Sequence, residues 1–473
     1  MMPGFIDNHA NVMKGGFELQ GINLREVNNE TEFAQAFKDY AAAHPNQWIT
    51  GGYWNEERFA TKELPGKELA DAFTEQQGVF VIRYDGTMAL ANSVALLMAG
   101  ITKLTPNPPG GEIEHDKLDG EPTGILKGTA MQFVGKLIPL PGANENFESA
   151  RLALAEARKF GITSIHDISD NVALKTYQVL KAKGELTARM YCRLPITNFE
   201  NFVNLGIQIP FGDEWIRVGA VNGAIDGSLK TEAALFFDSY FSNPGTNGVV
   251  NDFAHDDRLQ TWSLAADKAR LQVSIEATGD NANNSALDIF ENIARENPKW
   301  ERRFRIEHAQ HVADNDITRL YGLDVIASLQ PYHIIDDGRF AKTLIGLERS
   351  KNVLQLKTFL EKRVKVCFGS DWPLAPLNPL LGIYAAVTRR TLDNAHPDGW
   401  FPEQKITVKE ALELYTINSA FAAFEEHEKG SITVGKLADF VVLSEDLLTI
   451  DPNKIPDVNV AMTVIGGNIV YQR

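Results

Sequence analysis

The chain has 473 residues, 44% hydrophobic and 23% charged, which places it among ordinary globular proteins and away from disordered ones. Its 62 acidic residues outnumber 46 basic ones, for a net charge of −16, and no Lys/Arg-rich stripe offers a footprint for nucleic acid. No apolar run nears the roughly 20 residues that span a bilayer, so the expectation is a soluble protein without a membrane partner.

Met2-Pro3-Gly4 reads as a loop leading into Phe5 and Ile6, the apolar start of a short buried strand that exits through Asp7, Asn8, His9, Ala10 and Asn11. Strand side chains alternate, so His9 and Asn11 point to one side, as two ligands of one metal ion would. Taken alone, the pair reads more simply as a polar loop with a surface histidine. Residues 20–130 then break any regular alternation. They hold a Gly/Trp-rich piece, Trp48-Ile49-Thr50-Gly51-Gly52-Tyr53-Trp54, and a loop, Pro106-Asn107-Pro108-Pro109-Gly110-Gly111. This stretch is expected to be an insertion folding over the mouth of a barrel.

From about residue 148 the pattern becomes regular. Helical periodicity over 148–160, 171–184, 258–270, 282–297, 317–323, 351–362 and 408–421 alternates with apolar strands at 161–167, 188–194, 216–221, 271–276, 304–308, 324–330 and 364–371. Such alternation predicts parallel strands joined by helices, and with the opening strand it predicts an α/β fold, a (β/α)8 TIM-like barrel. The strands end in His9, His166 with Asp167, Asn222, Glu276, His308, Gln330 and Asp371, and C-terminal strand ends carry the chemistry of such barrels. Cys192 and Cys367 lie in apolar runs and read as buried free thiols. The tail repeats a short-strand pattern, Phe440-Val441-Val442-Leu443 and Val464 to Tyr471 around a Gly-Asn turn, so a small β element closes the chain. The expected organisation is a first barrel strand in 1–19, a lid-like insertion in 20–130, the rest of the barrel in 131–425 and β-sandwich strands in 426–473.

Ordered landmarks run from end to end: Pro3-Gly4-Phe5-Ile6-Asp7-Asn8-His9, Pro109-Gly110-Gly111-Glu112-Ile113, Asp226-Gly227-Ser228-Leu229, Arg305-Ile306-Glu307-His308-Ala309-Gln310, Ser328-Leu329-Gln330-Pro331-Tyr332-His333, Gly369-Ser370-Asp371-Trp372-Pro373 and Gly435-Lys436-Leu437-Ala438-Asp439. Together they resemble the amidohydrolase superfamily, in the branch that contains N-substituted formamide deformylases. That resemblance implies a metal-binding barrel flanked by a β-sandwich built from both termini, and a homodimer as one mode of assembly. Only Met1 and Met2 precede the first landmark, so half a sandwich is expected to be missing, through a shortened start or an edge covered by another chain. No signal peptide is visible, which gives a cytoplasmic default and leaves export open if a leader has been lost.

The resemblance also implies a ligand set of two histidines after the first strand, a bridging lysine, two later histidines and an aspartate. His9, His308 and Asp371 match it. Asn11 stands for the second histidine, Asn222 for the lysine and Glu276 for the third histidine; Thr87 and Glu232 also depart from the usual residues. Asn222 cannot bridge two metals, which leaves one divalent ion, zinc first and iron or manganese as alternatives, held by His9, Glu276, His308 and Asp371, or no metal at all. Asp371 would double as general base, while Asn11, Asn222 and His333 would line the pocket or touch substrate. His311 reads as a loop histidine, and His166 with Asp167 as a supporting pair. The implied activity is metal-dependent hydrolysis of a non-peptide C–N bond in a small amide or formamide-like molecule. The rival is a non-catalytic ligand-binding or regulatory protein on the same scaffold.

Overall fold

The computed structural model describes residues 1–473 except Glu75 and Asp85, and the chain divides into two compact units, Met1–Met13 with Ala153–Arg473, and Lys14–Leu152. The larger unit is built on eight parallel strands: β1 (Phe5–Ala10), β2 (Ile162–Ile168), β3 (Arg189–Pro195), β4 (Ile216–Ala224), β5 (Val273–Ala277), β6 (Arg305–His308), β7 (Ile326–Leu329) and β8 (Lys365–Phe368). Each strand pairs with the next in sequence. β8 returns to β1 through a parallel bridge between Ala10 and Trp372, and the Asp371 N–H donates to the His9 carbonyl at 2.8 Å. This is the expected (β/α)8 barrel. Closure brings the two chain segments so near that a Cβ on Gly369 would sit 2.4 Å from the His9 nitrogen, so only glycine fits there.

The helices follow from their apolar spacing. In Asp280–Glu296 the buried residues Ala282, Ala286, Ile289, Phe290 and Ile293 form one stripe, the pattern of a helix laid on a sheet. The helix expected over 408–421 is two, Val408–Leu414 and Ile417–Ala422. Thr416 between them leaves helical geometry, which turns the Tyr415 carbonyl to accept the Ile6 N–H at 2.8 Å. Asp371 lies beyond the end of β8 rather than within it.

The C-terminal strands Phe440–Leu443, Val460–Ile465 and Asn468–Gln472 form an antiparallel sheet, and Met2–Pro3 pairs with its first strand in the register Met2 to Val441. One buried ion pair ties this sheet to the barrel. Arg189 on β3 donates to both Asp439 oxygens at 2.6 and 2.9 Å, and Asp439 also accepts the Gly466 N–H at 2.8 Å. Both side chains are nearly inaccessible, so removing one partner strands a charge. Asp439→Ala is therefore expected to cost about 3–5 kcal/mol in chemical denaturation; a loss below about 1 kcal/mol would mean that the pair contributes nothing to cohesion.

The second unit is a six-stranded mixed sheet, in the order Ile22–Asn23, Ile49–Trp54, Val79–Arg83, Met88–Ala91, Pro122–Gly128, Gly111–His115. Helix Glu30–Ala43, capped by the Asn29 side chain, buries Phe33, Phe37 and Ala41 four residues apart. Trp54 is a core residue of this unit, with its indole N–H donating to the Val81 carbonyl at 3.0 Å.

Candidate active site

The barrel floor is polar where packed aliphatic layers would be usual. Its centre is Glu307 on β6, fully buried. Its carboxylate accepts from Arg193 Nη1 at 2.9 Å, Arg305 Nε at 2.7 Å, Ser274 Oγ at 2.9 Å, Ser328 Oγ at 2.6 Å and His9 Nδ1 at 2.6 Å. Burial alone would push this carboxyl up, but Arg193, Arg305 and the bond from His9 outweigh it and hold it well below the usual carboxylate range. Arg305 and Glu307 are two apart on one strand and so face the same side. Their signal in the sequence was a pair of charges in a strand that otherwise reads as core; such charges are buried only when paired.

This network decides the state of His9. Its Nδ1 lies 2.6 Å from a carboxylate oxygen that can only accept, so Nδ1 carries the proton and Nε2 keeps its lone pair. Arg193 Nη2, 3.1 Å from the same nitrogen, is then a neighbour rather than a donor to it. Burial and the Arg193 charge lower the His9 pKa, which keeps the ring neutral. Nε2 faces Asp371 Oδ1 at 3.6 Å, and the His308 ring lies with its centroid 4.9 Å from that of His9. One ligand atom from each of His9, His308 and Asp371 falls within 4.8 Å of the others. Both His308 (φ 72°) and Asp371 (φ 65°) hold left-handed backbone conformations, uncommon for side-chain-bearing residues and typical of constrained functional sites.

Asp371 uses its two oxygens differently. Oδ2 accepts from His333 Nε2 at 2.9 Å, which leaves Oδ1 on the side of His9. Burial raises the Asp371 pKa, yet the His333 bond and the nearby imidazoles overcome this and hold it well below the carboxylate range. The same contact raises His333 against the opposing effect of burial. His333, expected to touch substrate, sits directly against Asp371.

Glu276, expected to complete a four-ligand sphere, is not in that convergent group. Its carboxylate accepts from Asn222 Nδ2 at 2.8 Å. The physical reason is strand position: Glu276 pairs in register with Glu307, one residue short of His308, and on its other side with Ala224 of β4, two residues beyond Asn222. Lys230 does not stand in for a bridging lysine, because its ammonium pairs with Asp336. The Asn11 N–H donates to the Trp372 carbonyl, which joins β1 to the segment after β8. His166 and Asp167 are not a pair. Adjacent strand residues face opposite ways, so His166 meets Arg305 at 3.1 Å inside the barrel while Asp167 accepts the Val12 N–H and the Tyr177 hydroxyl outside. His311 is buried against Phe236, and burial lowers its pKa to about 3.

Two imidazole nitrogens and one carboxylate oxygen fit a single divalent ion with an open position, the donor set of mononuclear hydrolytic sites. They do not fit a bridged pair of ions, since Asn222 offers no bridging group. The family model described as the amidohydrolase family matches residues 1–471. The chain belongs to the amidohydrolase family. Among relatives, this amidohydrolase is 36% identical over 485 residues to Protein LONG AFTER FAR-RED 3 of Arabidopsis thaliana, covering 100% of this chain and 82% of that protein. It is 25% identical over 496 residues to N-substituted formamide deformylase of Arthrobacter pascens, covering 100% and 88%. Its structure resembles that of an uncharacterized metal-dependent hydrolase from Pyrococcus horikoshii OT3, with a TM-score of 0.79 at 25% identity over 95% of this chain and 87% of the other. Among the described residues no helix is long and apolar enough to cross a membrane.

Proposed function

We propose that this amidohydrolase cleaves a C–N bond in a small amide or formamide with a single divalent ion held by His9, His308 and Asp371, and with Glu276 outside the ligand sphere. The observation that carries the reading is the convergence of these three side chains with His9 already in the tautomer that presents Nε2. Zinc, iron and manganese all suit such a set. When bound, such an ion supplies Lewis acidity toward water and a carbonyl oxygen. The chain's own part follows from geometry. Glu307 keeps the His9 proton on Nδ1. Asp371, held ionised, accepts the proton that the attacking water gives up and returns it to the departing nitrogen. His333 Nε2 steadies the carboxylate through that exchange.

Elemental analysis of protein purified without chelator or nickel resin is the test, beside hydrolysis assays on N-substituted formamides and simple amides. About one equivalent of metal is expected, falling to background in His308→Ala. Retention of the metal by that variant would remove His308 from the sphere. A second reading is favoured by Asn222 and Glu276 standing where bridging and imidazole ligands are expected: the cleft binds a small molecule without turning it over. Absence of metal from both proteins, together with no hydrolysis, would select it.

A further inference from the structure

Asn222 and Glu276 form a pair that the ligand set does not use. Ser274 on β5 reaches Glu307 inside the barrel, so two residues on, at the C-terminal end of the same strand, Glu276 lies on the same inner face one layer nearer the mouth. Asn222 comes from the neighbouring strand β4 and spends an amide N–H on Glu276 Oε1. That bond fixes the amide with its carbonyl turned away, and Asn222 Oδ1 is buried without a hydrogen-bond partner. A buried acceptor left unmatched is costly, and in a cleft the natural compensation is a ligand N–H. Glu276 supplies a carboxylate beside it. Arg193, a cation near enough to feel the Glu276 charge, is engaged with Glu307 and sits fully buried in the floor. The two strand ends therefore offer a carboxylate and an unmatched amide oxygen as acceptors.

We infer that Asn222 Oδ1 and the Glu276 carboxylate together recognise a cationic, multiply N–H-donating group of the substrate, of the amine, amidine or guanidine class. The inference rests on reading this cleft as the place where the hydrolysed molecule binds, and it deepens that reading by naming part of the molecule. The carboxylate takes one N–H of such a group and the amide oxygen another, and a charge-assisted bond is about twice as strong as a neutral one. A neutral isostere would leave the carboxylate desolvated without a directly bonded cation, which is the asymmetry that makes a buried polar site selective.

The test compares n-butylguanidine with n-butylurea, which match in shape and differ in charge, by titration calorimetry on the full-length protein as purified. The guanidine is expected to bind roughly tenfold or more tightly. Glu276→Gln should abolish this preference, and Asn222→Ala should reduce it while leaving the charge in place; thermal melts establish that each variant is folded. Equal affinity of the unsubstituted protein for both probes, including no binding of either, overturns the assignment whatever the variants do. So does a second equivalent of Mn2+ or Mg2+, titrated alone, that disappears in Glu276→Gln, since the acceptors would then serve a hard cation. Failure of the metal at His9, His308 and Asp371 would appear in the elemental analysis and leave the guanidine preference standing, so the two readings fall separately.

Discussion

Glu307→Ala is expected to be the most damaging single substitution in the barrel. The change removes the acceptor of five donors and leaves Arg193 and Arg305, both wholly buried, without their common counter-charge. Breaking a buried pair in this way costs about 3–5 kcal/mol, and here two cations lose their partner at once. Equilibrium denaturation should register that loss, or the variant should fail to accumulate as folded protein. Glu307→Gln retains the shape and tests a finer point. It removes the charge that orients His9, so metal affinity should fall by roughly 10 to 100-fold, as when a partner of a ligating histidine is lost. The pH dependence follows from the same group. A carboxyl whose pKa is depressed on folding adds stability above its unfolded value and loses it as pH falls through the folded one. The acid side of the stability profile, below about pH 4.5, should accordingly be shallower in Glu307→Gln than in the parent. An unchanged profile would mean that the carboxylate does not carry the linkage.

Asp371→Asn should leave the fold and remove turnover. The backbone bond from residue 371 to the His9 carbonyl does not involve the side chain, and an asparagine oxygen can still accept from His333. What disappears is the negative ligand oxygen near His9 Nε2 and the acceptor of the water's proton. Loss of general base catalysis alone is worth about 100 to 10,000-fold, and weaker metal retention would add to it. Hydrolysis of any amide that the parent cleaves should fall by at least that factor, measured beside metal content. A variant as active as the parent would end the mechanism proposed here.

Much of the architecture was legible locally. Helical and strand periods alternate through residues 148–421, and the predicted strands lie within a few residues of β1 to β8. Their polar ends mark one rim of the barrel because parallel strands all point the same way. Residues 20–130 were set apart by the break in that alternation, although their sheet order could not be read from it. His9, His308 and Asp371 were identifiable as strand-end residues of the right chemistry. Glu276 was equally eligible on those grounds. Only the tertiary structure sets its carboxylate on the amide of Asn222, two residues before its register partner Ala224, and leaves it out of the convergent group.

The partner of His9 illustrates the limit. Glu307 stands next to His308 in sequence and looked like part of the scaffold, yet it is 298 residues from the imidazole it orients. Local sequence by itself determined which segments become strands and helices and which strand ends are polar, because periodicity is a property of neighbours along the chain. The tertiary structure decided which of those polar side chains meet, which nitrogen of His9 keeps its lone pair and which acceptor stays unmatched. Those depend on barrel closure and register, which bring together groups that no local pattern relates.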